Sequence, residues 1–253
     1  MSAGRSPWLM QRPGSTRGDR VLYCFHHAGG NAGLFMNWGR FLPDGVEVVG
    51  VQLPGRGGRL REPFLEQAAR DLMPVVGGAI ATHHAGRPFA FFGHSMGALW
   101  AFETARWLAA AHLPGPQHLF VASRIAPHLP FRMAPLDHLP DAQLLAALRA
   151  FNGADDAVLD DPELVEFFLP IIRADLRLHR AHVHRPAPPL ACPITALASD
   201  GDVWCRVDEM QAWREHTAAA FALQAYPGGH FFFHEAPQQH LPRFFAALGP
   251  GAT

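Results

Sequence analysis

Gly93-His94-Ser95-Met96-Gly97 fits the pattern G-x-S-x-G, in which a serine is raised on a sharp strand-to-helix turn to attack an acyl carbonyl. Glycines two residues either side let strand and helix approach closely, and the flanking sequence has the right character. FAFFG supplies an apolar strand before the serine, and ALWAFETARWLAAA supplies a helix whose N-terminal N–H groups and positive dipole end favour a developing oxyanion. The chemistry expected is nucleophilic acyl transfer.

Such a serine needs a histidine base and an acid to orient it, both following it in the chain. Of sixteen histidines, His230 is expected as the base, because Pro227-Gly228-Gly229-His230 follows the strand-like FALQAY and precedes the last helix-like segment. His234 is the weaker rival. No Asp or Glu occurs between Glu103 and Asp137, so the strand-like HLFVAS cannot deliver the acid from its own end. Asp200 and Asp202 remain, after PITALAS. Asp202 is preferred because two further residues lengthen the loop's reach and Val203 offers an apolar anchor. The oxyanion donors expected are the backbone N–H of Met96 and that of Ala28, in the small-residue loop after VLYCF.

These residues require an open, mostly parallel sheet that brings several strand ends together. Short apolar runs at 21–25, 46–53, 89–93, 118–123, 193–199 and 221–226 alternate with helix-like stretches at 66–84, 95–111, 206–220 and 237–248, the signature of βαβ units. The fold class expected is α/β, with a mostly parallel central sheet flanked by helices. Residues 124–190 interrupt the pattern with two helical stretches, at 139–151 and 161–182, which read as a helical lid over the strands' carboxyl ends. Its apolar residues Leu144, Leu148, Phe151, Phe167, Phe168 and Ile171 recur at helical spacing and are expected to pack against the sheet. Residues 1–20 are expected to be a flexible tail and 21–253 a single domain.

Several separated stretches resemble one family, the stand-alone type II thioesterases of polyketide and nonribosomal peptide biosynthesis, which are α/β-hydrolases. They are FHHAGG, LPGRGGRLREP (53–63), FFGHSMGAL, IRADLRLH (172–179), CPITAL (192–197), AWREHT (212–217) and YPGGHFFF (226–233). The medium-chain thioesterase serving animal fatty acid synthase looks similar in the same places. The resemblance implies hydrolysis of acyl thioesters on the phosphopantetheine arm of an acyl or peptidyl carrier protein, with Ser95 as nucleophile, His230 as base, Asp202 as acid, and Ala28 and Met96 as oxyanion donors. Chain release and small-molecule ester hydrolysis are the alternatives. Two positions depart from the family pattern. His26 stands where proline is usual, which implies a looser oxyanion loop, and Ser199 stands where glycine is usual before the acid.

Composition narrows the partners. A net charge of -1 lacks the basic excess of a nucleic-acid binder, and no apolar stretch is long enough to span a bilayer. Cys24, Cys192 and Cys205 form no CxxC and lie in or beside apolar runs, which suits buried thiols in a cytoplasmic protein, expected to be a monomer. Arg56, Arg59 and Arg61 are expected to brace loops through Glu62 or backbone carbonyls, with attraction of an acidic carrier as the alternative. Arg173 and Asp175, on the second lid helix, could face the cavity or pair with each other. The clusters His26-His27, His83-His84 and His179, His182, His184 lack carboxylate or cysteine partners at ligand spacing. No metal is expected, and no cofactor beyond the pantetheine that the substrate carries.

Overall fold

A computed structural model describes residues 6–65, 69–130, 135–150 and 159–249. Its strands are β1 (Leu9–Gln11), β2 (Arg20–Phe25), β3 (Val46–Val51), β4 (Phe89–His94), β5 (Leu119–Ala122), β6 (Ile194–Ser199) and β7 (Phe221–Tyr226). They form one sheet in the order β1-β3-β2-β4-β5-β6-β7, parallel throughout except for β1. Strands β2, β4, β5 and β6 carry almost unbroken runs of buried residues, as expected where helices cover both faces. Six of the seven strands coincide with the apolar runs of the sequence.

The seventh, at Leu9–Gln11, replaces part of the flexible tail expected over residues 1–20, of which residues 1–5 lie outside the described residues. Leu9–Gln11 pairs antiparallel with Val49–Val51, and Arg20 already belongs to β2. Trp8 fixes the edge: its carbonyl accepts from Gln52 N–H at 2.9 Å, and the Arg59 guanidinium lies 3.9 Å from its ring centroid. Three residues are too few for a period-two signal, so only the pairing reveals this strand.

The main helices are α1 (Ala69–His84), α2 (Met96–Ala110), α3 (Asp141–Ala150) and α4 (Pro162–Arg180). The expected 206–220 helix is instead a short α5 (Val207–Met210) followed by a 3-10 turn (Gln211–His216). Trp213, fully buried with its indole N–H on the Arg124 carbonyl at 2.6 Å, and the parallel bridge Leu190–Thr217 draw the chain out of α-geometry there. The chain ends with α6 (Phe232–Glu235), α7 (Pro237–Phe244) and a 3-10 turn (Ala246–Leu248). One apolar cluster fills the face covered by α1 and α2, and a second packs Phe35, Trp38, Phe92, Phe120, Phe232, Phe233, Phe244 and Phe245 on the other face.

Helices α3 and α4 form the insertion. Asp161 caps α4 by accepting from Glu163 and Leu164 N–H groups at 2.9 and 3.2 Å. Leu136, Leu144 and Leu169 make a separate cluster joined by Leu148, so these side chains pack within the insertion instead of on the sheet. Ile171 is buried, Phe167 is 45% exposed, and Phe151 lies outside the described residues. Among the described residues no helix is long and apolar enough to cross a membrane.

Candidate active site

Ser95 joins β4 to α2 with φ 53 and ψ -116, a backbone conformation that L-residues rarely adopt and that is tolerated where surrounding packing enforces it. The packing is visible at its glycines. A Cβ on Gly97 would lie 2.1 Å from the Phe25 carbonyl oxygen, and one on Gly93 would lie 2.4 Å from the Cα of Ala98. The turn is anchored by Ser95 N–H donating to the Ala122 carbonyl at 2.8 Å. Met96 is the first residue of α2, where helix geometry leaves N–H groups without intrahelical acceptors. The same contact of Gly97 with Phe25 and His26 sets the start of α2 against the loop that carries Ala28.

Asp202 and His230 meet across the ends of β6 and β7. His230 Nδ1 donates to Asp202 Oδ2 at 2.7 Å, and both residues are buried. That bond places the proton on Nδ1 and leaves Nε2 as the basic nitrogen. The other carboxylate oxygen of Asp202 accepts from Trp204 and Cys205 N–H groups at 3.0 and 3.2 Å, which fixes the orientation of the acid. Asp200 does not join them. It is exposed, and its carboxylate accepts instead from Gly228 N–H at 3.2 Å. Val203 is 74% exposed and anchors nothing, so the backbone amides do the work expected of it.

The His230 backbone is held as firmly as its ring. Its carbonyl accepts from His94 Nε2 at 2.9 Å and from Ser123 Oγ at 3.0 Å. Ser199 Oγ donates to the neighbouring Gly229 carbonyl at 2.8 Å. The serine that departs from the glycine pattern thus ties down the histidine loop. Ser123 escaped the sequence reading; its φ of 50 at the end of β5 becomes visible only in the folded chain.

The loop expected to donate to the oxyanion is pinned, contrary to the looseness expected from His26. His26 Nδ1 donates to the His27 carbonyl at 2.8 Å and His27 Nδ1 to the Ala28 carbonyl at 2.9 Å. Burial, with Arg56 nearby, pushes the His26 pKa well below its usual range, so that ring is neutral. Gly29 N–H donates to Asp175 on α4 at 2.8 Å. Arg56 grips both oxygens of Asp175, at 2.5 and 2.7 Å, and also donates to the Gly30 carbonyl at 3.2 Å. Arg59 pairs with Glu62 and donates to the Gln52 carbonyl, so Arg56 and Arg59 brace loops as expected, while Arg61 is exposed. Arg173 binds Asp141 and the Asp137 and Leu139 carbonyls, and it does not pair with Asp175. All three cysteines are buried free thiols.

A strained serine elbow, a buried Asp–His pair and a braced small-residue loop together suit acyl transfer. A family model of the thioesterase domain matches residues 20–248. The linear gramicidin dehydrogenase LgrE of Brevibacillus parabrevis is 38% identical over 246 residues, covering 93% of this chain and 90% of that protein. Thioesterase PikA5 of Streptomyces venezuelae is 41% identical over 215 residues, covering 85% of this chain and 75% of its own length. Among solved structures, the type II thioesterase BorB of the borrelidin biosynthetic cluster is 36% identical, with a TM-score of 0.81 over 94% of this chain and 97% of that one. The chain therefore belongs to the thioesterase family, as a hydrolase of the α/β-hydrolase fold.

Proposed function

We propose that this protein hydrolyses acyl thioesters held on the phosphopantetheine arm of an acyl or peptidyl carrier protein, clearing stalled or misprimed groups from a polyketide or nonribosomal peptide assembly line. The observation that carries the reading is the 2.7 Å bond between His230 and Asp202 in a chain whose serine sits at a strained elbow. Likeness to proteins named for such pathways supports the choice of substrate class. The dehydrogenase name belongs to LgrE; for this chain the elbow favours hydrolysis.

The reaction proceeds in two steps. His230 Nε2 takes the proton from Ser95 Oγ as Oγ bonds to the thioester carbon, and the Ala28 and Met96 N–H groups receive the oxyanion. Each such donor lowers the barrier by about 3 kcal/mol. Collapse breaks the C–S bond, and the departing pantetheine thiolate takes the proton from His230. Water then gives a proton to His230 and its oxygen bonds to the acyl carbon; the C–Oγ bond breaks, His230 returns the proton to Ser95 Oγ, and the free acid leaves. The protein's own side chains and backbone amides suffice for each step, so the reaction requires no resident metal or cofactor. We place the protein in the cytoplasm as a monomer; the three buried free thiols bear on the compartment alone, suiting a reducing one.

Phe25, His26, Val51, Leu53, Leu72, Met73, Val76 and Trp100 line a small apolar cavity with room for about one water-sized group, and we propose it as the inner end of a chamber that an acyl chain widens on entry. The test is hydrolysis across a panel of acyl groups on holo carrier protein, with Ser95→Ala as control and free esters run in parallel. Release from the carrier that disappears in Ser95→Ala supports the reading. Preference for free esters, or no adduct at Ser95 after treatment with a serine-directed phosphonate, overturns it.

A further inference from the structure

Three histidines beside the proposed triad have no part in the two-step reaction. His27 precedes the proposed oxyanion residue Ala28, His94 precedes Ser95, and His234 lies on α6, four residues after His230. Although distant in sequence, each offers a ring nitrogen that lies within 4.8 Å of one from each of the others. His94 is buried, and His27 and His234 are half-buried.

Hydrogen bonds fix the tautomer of two of them, His94 and His27. His94 Nε2 donates to the His230 carbonyl, so its proton is fixed there and Nδ1 carries the lone pair. That Nδ1 is buried and has no hydrogen-bond partner among the described residues. His27 Nδ1 donates to the Ala28 carbonyl, which leaves the lone pair on Nε2. An imidazole whose second nitrogen donates to a backbone carbonyl is the arrangement that orients metal-ligating histidines. The rings of Phe231 and Phe233 pack within 5.0 Å of the His94 ring centroid and supply an apolar surround.

We propose that His27, His94 and His234 form a binding site for a divalent transition-metal ion of the zinc class, and that its occupation inhibits the hydrolase. Three neutral imidazoles satisfy three tetrahedral positions and leave the fourth for water. Bonds of about 2.0–2.1 Å put ligand nitrogens roughly 3.3 Å apart, so small ring rotations close the site. Burial holds the His27 pKa down at about 3 and that of His234 at about 4, which keeps both rings unprotonated near neutrality. Inhibition follows from position. The His94 and His230 ring centroids are 5.2 Å apart, and a dication beside His230 opposes the imidazolium that must form when Ser95 is deprotonated. The same ion would lock together the oxyanion loop, the elbow and the segment after His230. Binding stands on the geometry alone; inhibition rests on the proposed hydrolase reaction.

The full chain, stripped with a chelator, is titrated with zinc in competition with a chromophoric zinc chelator, and with cobalt for its visible absorption. One equivalent is expected, with a tetrahedral cobalt spectrum. His234→Phe and His234→Gln, both checked for folding by thermal melting, should weaken binding by more than about tenfold. His184→Phe, in the separate group with His128 and His216, should leave binding intact. In the activity arm zinc should lower kcat/KM of the parent, EDTA should restore it, and the His234 variants should hydrolyse at the parental metal-free rate without being inhibited. Equal zinc affinity in parent and His234 variants, or loss of the site on changing His184, overturns the site and identifies a ring cluster that merely packs. Equal inhibition of parent and His234 variants overturns the inhibitory role. Failure of the metal-free protein to hydrolyse any acyl carrier would count against the proposed reaction alone, because chelator competition reads binding without turnover.

Discussion

Asp175, on an insertion helix, accepts a hydrogen bond from the backbone N–H of Gly29 in the proposed oxyanion loop. The two elements also touch directly, since a Cβ on Gly29 would lie 2.6 Å from Ile172. Gly29 has φ +80, so glycine is required there for its conformation as well as for the close approach. The insertion therefore helps to build the loop carrying Ala28, besides covering it. Burial raises the pKa of the Asp175 carboxyl, while Arg56 and the Gly29 amide oppose that shift.

Replacing Asp175 by Ala leaves the Arg56 guanidinium buried without its counter-charge. The expected cost is about 3–5 kcal/mol of stability, read as a lowered denaturation midpoint. Thioester turnover should fall through kcat more than KM, because the perturbed loop carries the proposed oxyanion donor Ala28. An unchanged kcat in folded Asp175→Ala would separate the insertion from the oxyanion loop.

Asp202→Asn should lower kcat by about three to four orders of magnitude with little change in secondary structure, since an amide can stabilise the wrong tautomer of His230 and cannot balance its positive charge. Asp200→Asn keeps an acceptor for Gly228 N–H and should stay within about threefold of the parent. Steady-state hydrolysis of one acyl-carrier substrate by both variants decides which aspartate serves His230.

Ser199→Gly restores the residue usual in the resembling family and removes the bond to the Gly229 carbonyl. A lost hydrogen bond and a freer backbone should together cost about 1–2 kcal/mol, measured by denaturant melts. Ser199→Ala should cost less than Ser199→Gly, because only the glycine adds backbone freedom.

Burial holds the pKa of His118 and of His216 at about 4 and that of His179 well below its usual range. In the unfolded chain each returns to about 6.5, so between these values the unfolded state binds more protons than the folded state. Stability should be full above pH about 6.5 and fall as pH drops towards about 4, by up to about 1.4 kcal/mol per pH unit for each histidine. Thermal melts in chelator-containing buffers across this window check the sign. A melting temperature that stays flat until carboxylates titrate would contradict it.

Met73 lines the cavity proposed for the acyl chain, and Met73→Ala should shift the kcat/KM preference towards longer acyl groups. The truncation should also cost about 2–5 kcal/mol of stability. Competition between short and long acyl carriers in one reaction provides the measurement. An unchanged ratio would remove this cavity from the acyl path.

The elbow and six strands were legible in the sequence because each is written locally, in short apolar runs and in glycines spaced about one serine. Of the two grounds for preferring Asp202 over Asp200, the Val203 anchor fails, since Val203 is exposed and the amides of Trp204 and Cys205 hold the acid. Strand β1 carried too few residues to signal itself.

By itself the sequence determined the alternation of strands and helices, the serine between its glycines, and the order in which acid and base follow. Tertiary structure decided which aspartate meets His230, how Ser123 and Ser199 hold the histidine loop, and how Asp175 reaches Gly29 across 146 residues. It alone gathered His27, His94 and His234. The reason is physical: backbone propensity and periodicity act between neighbours in the chain, whereas a side chain's partner across the sheet is fixed only when the strand ends converge.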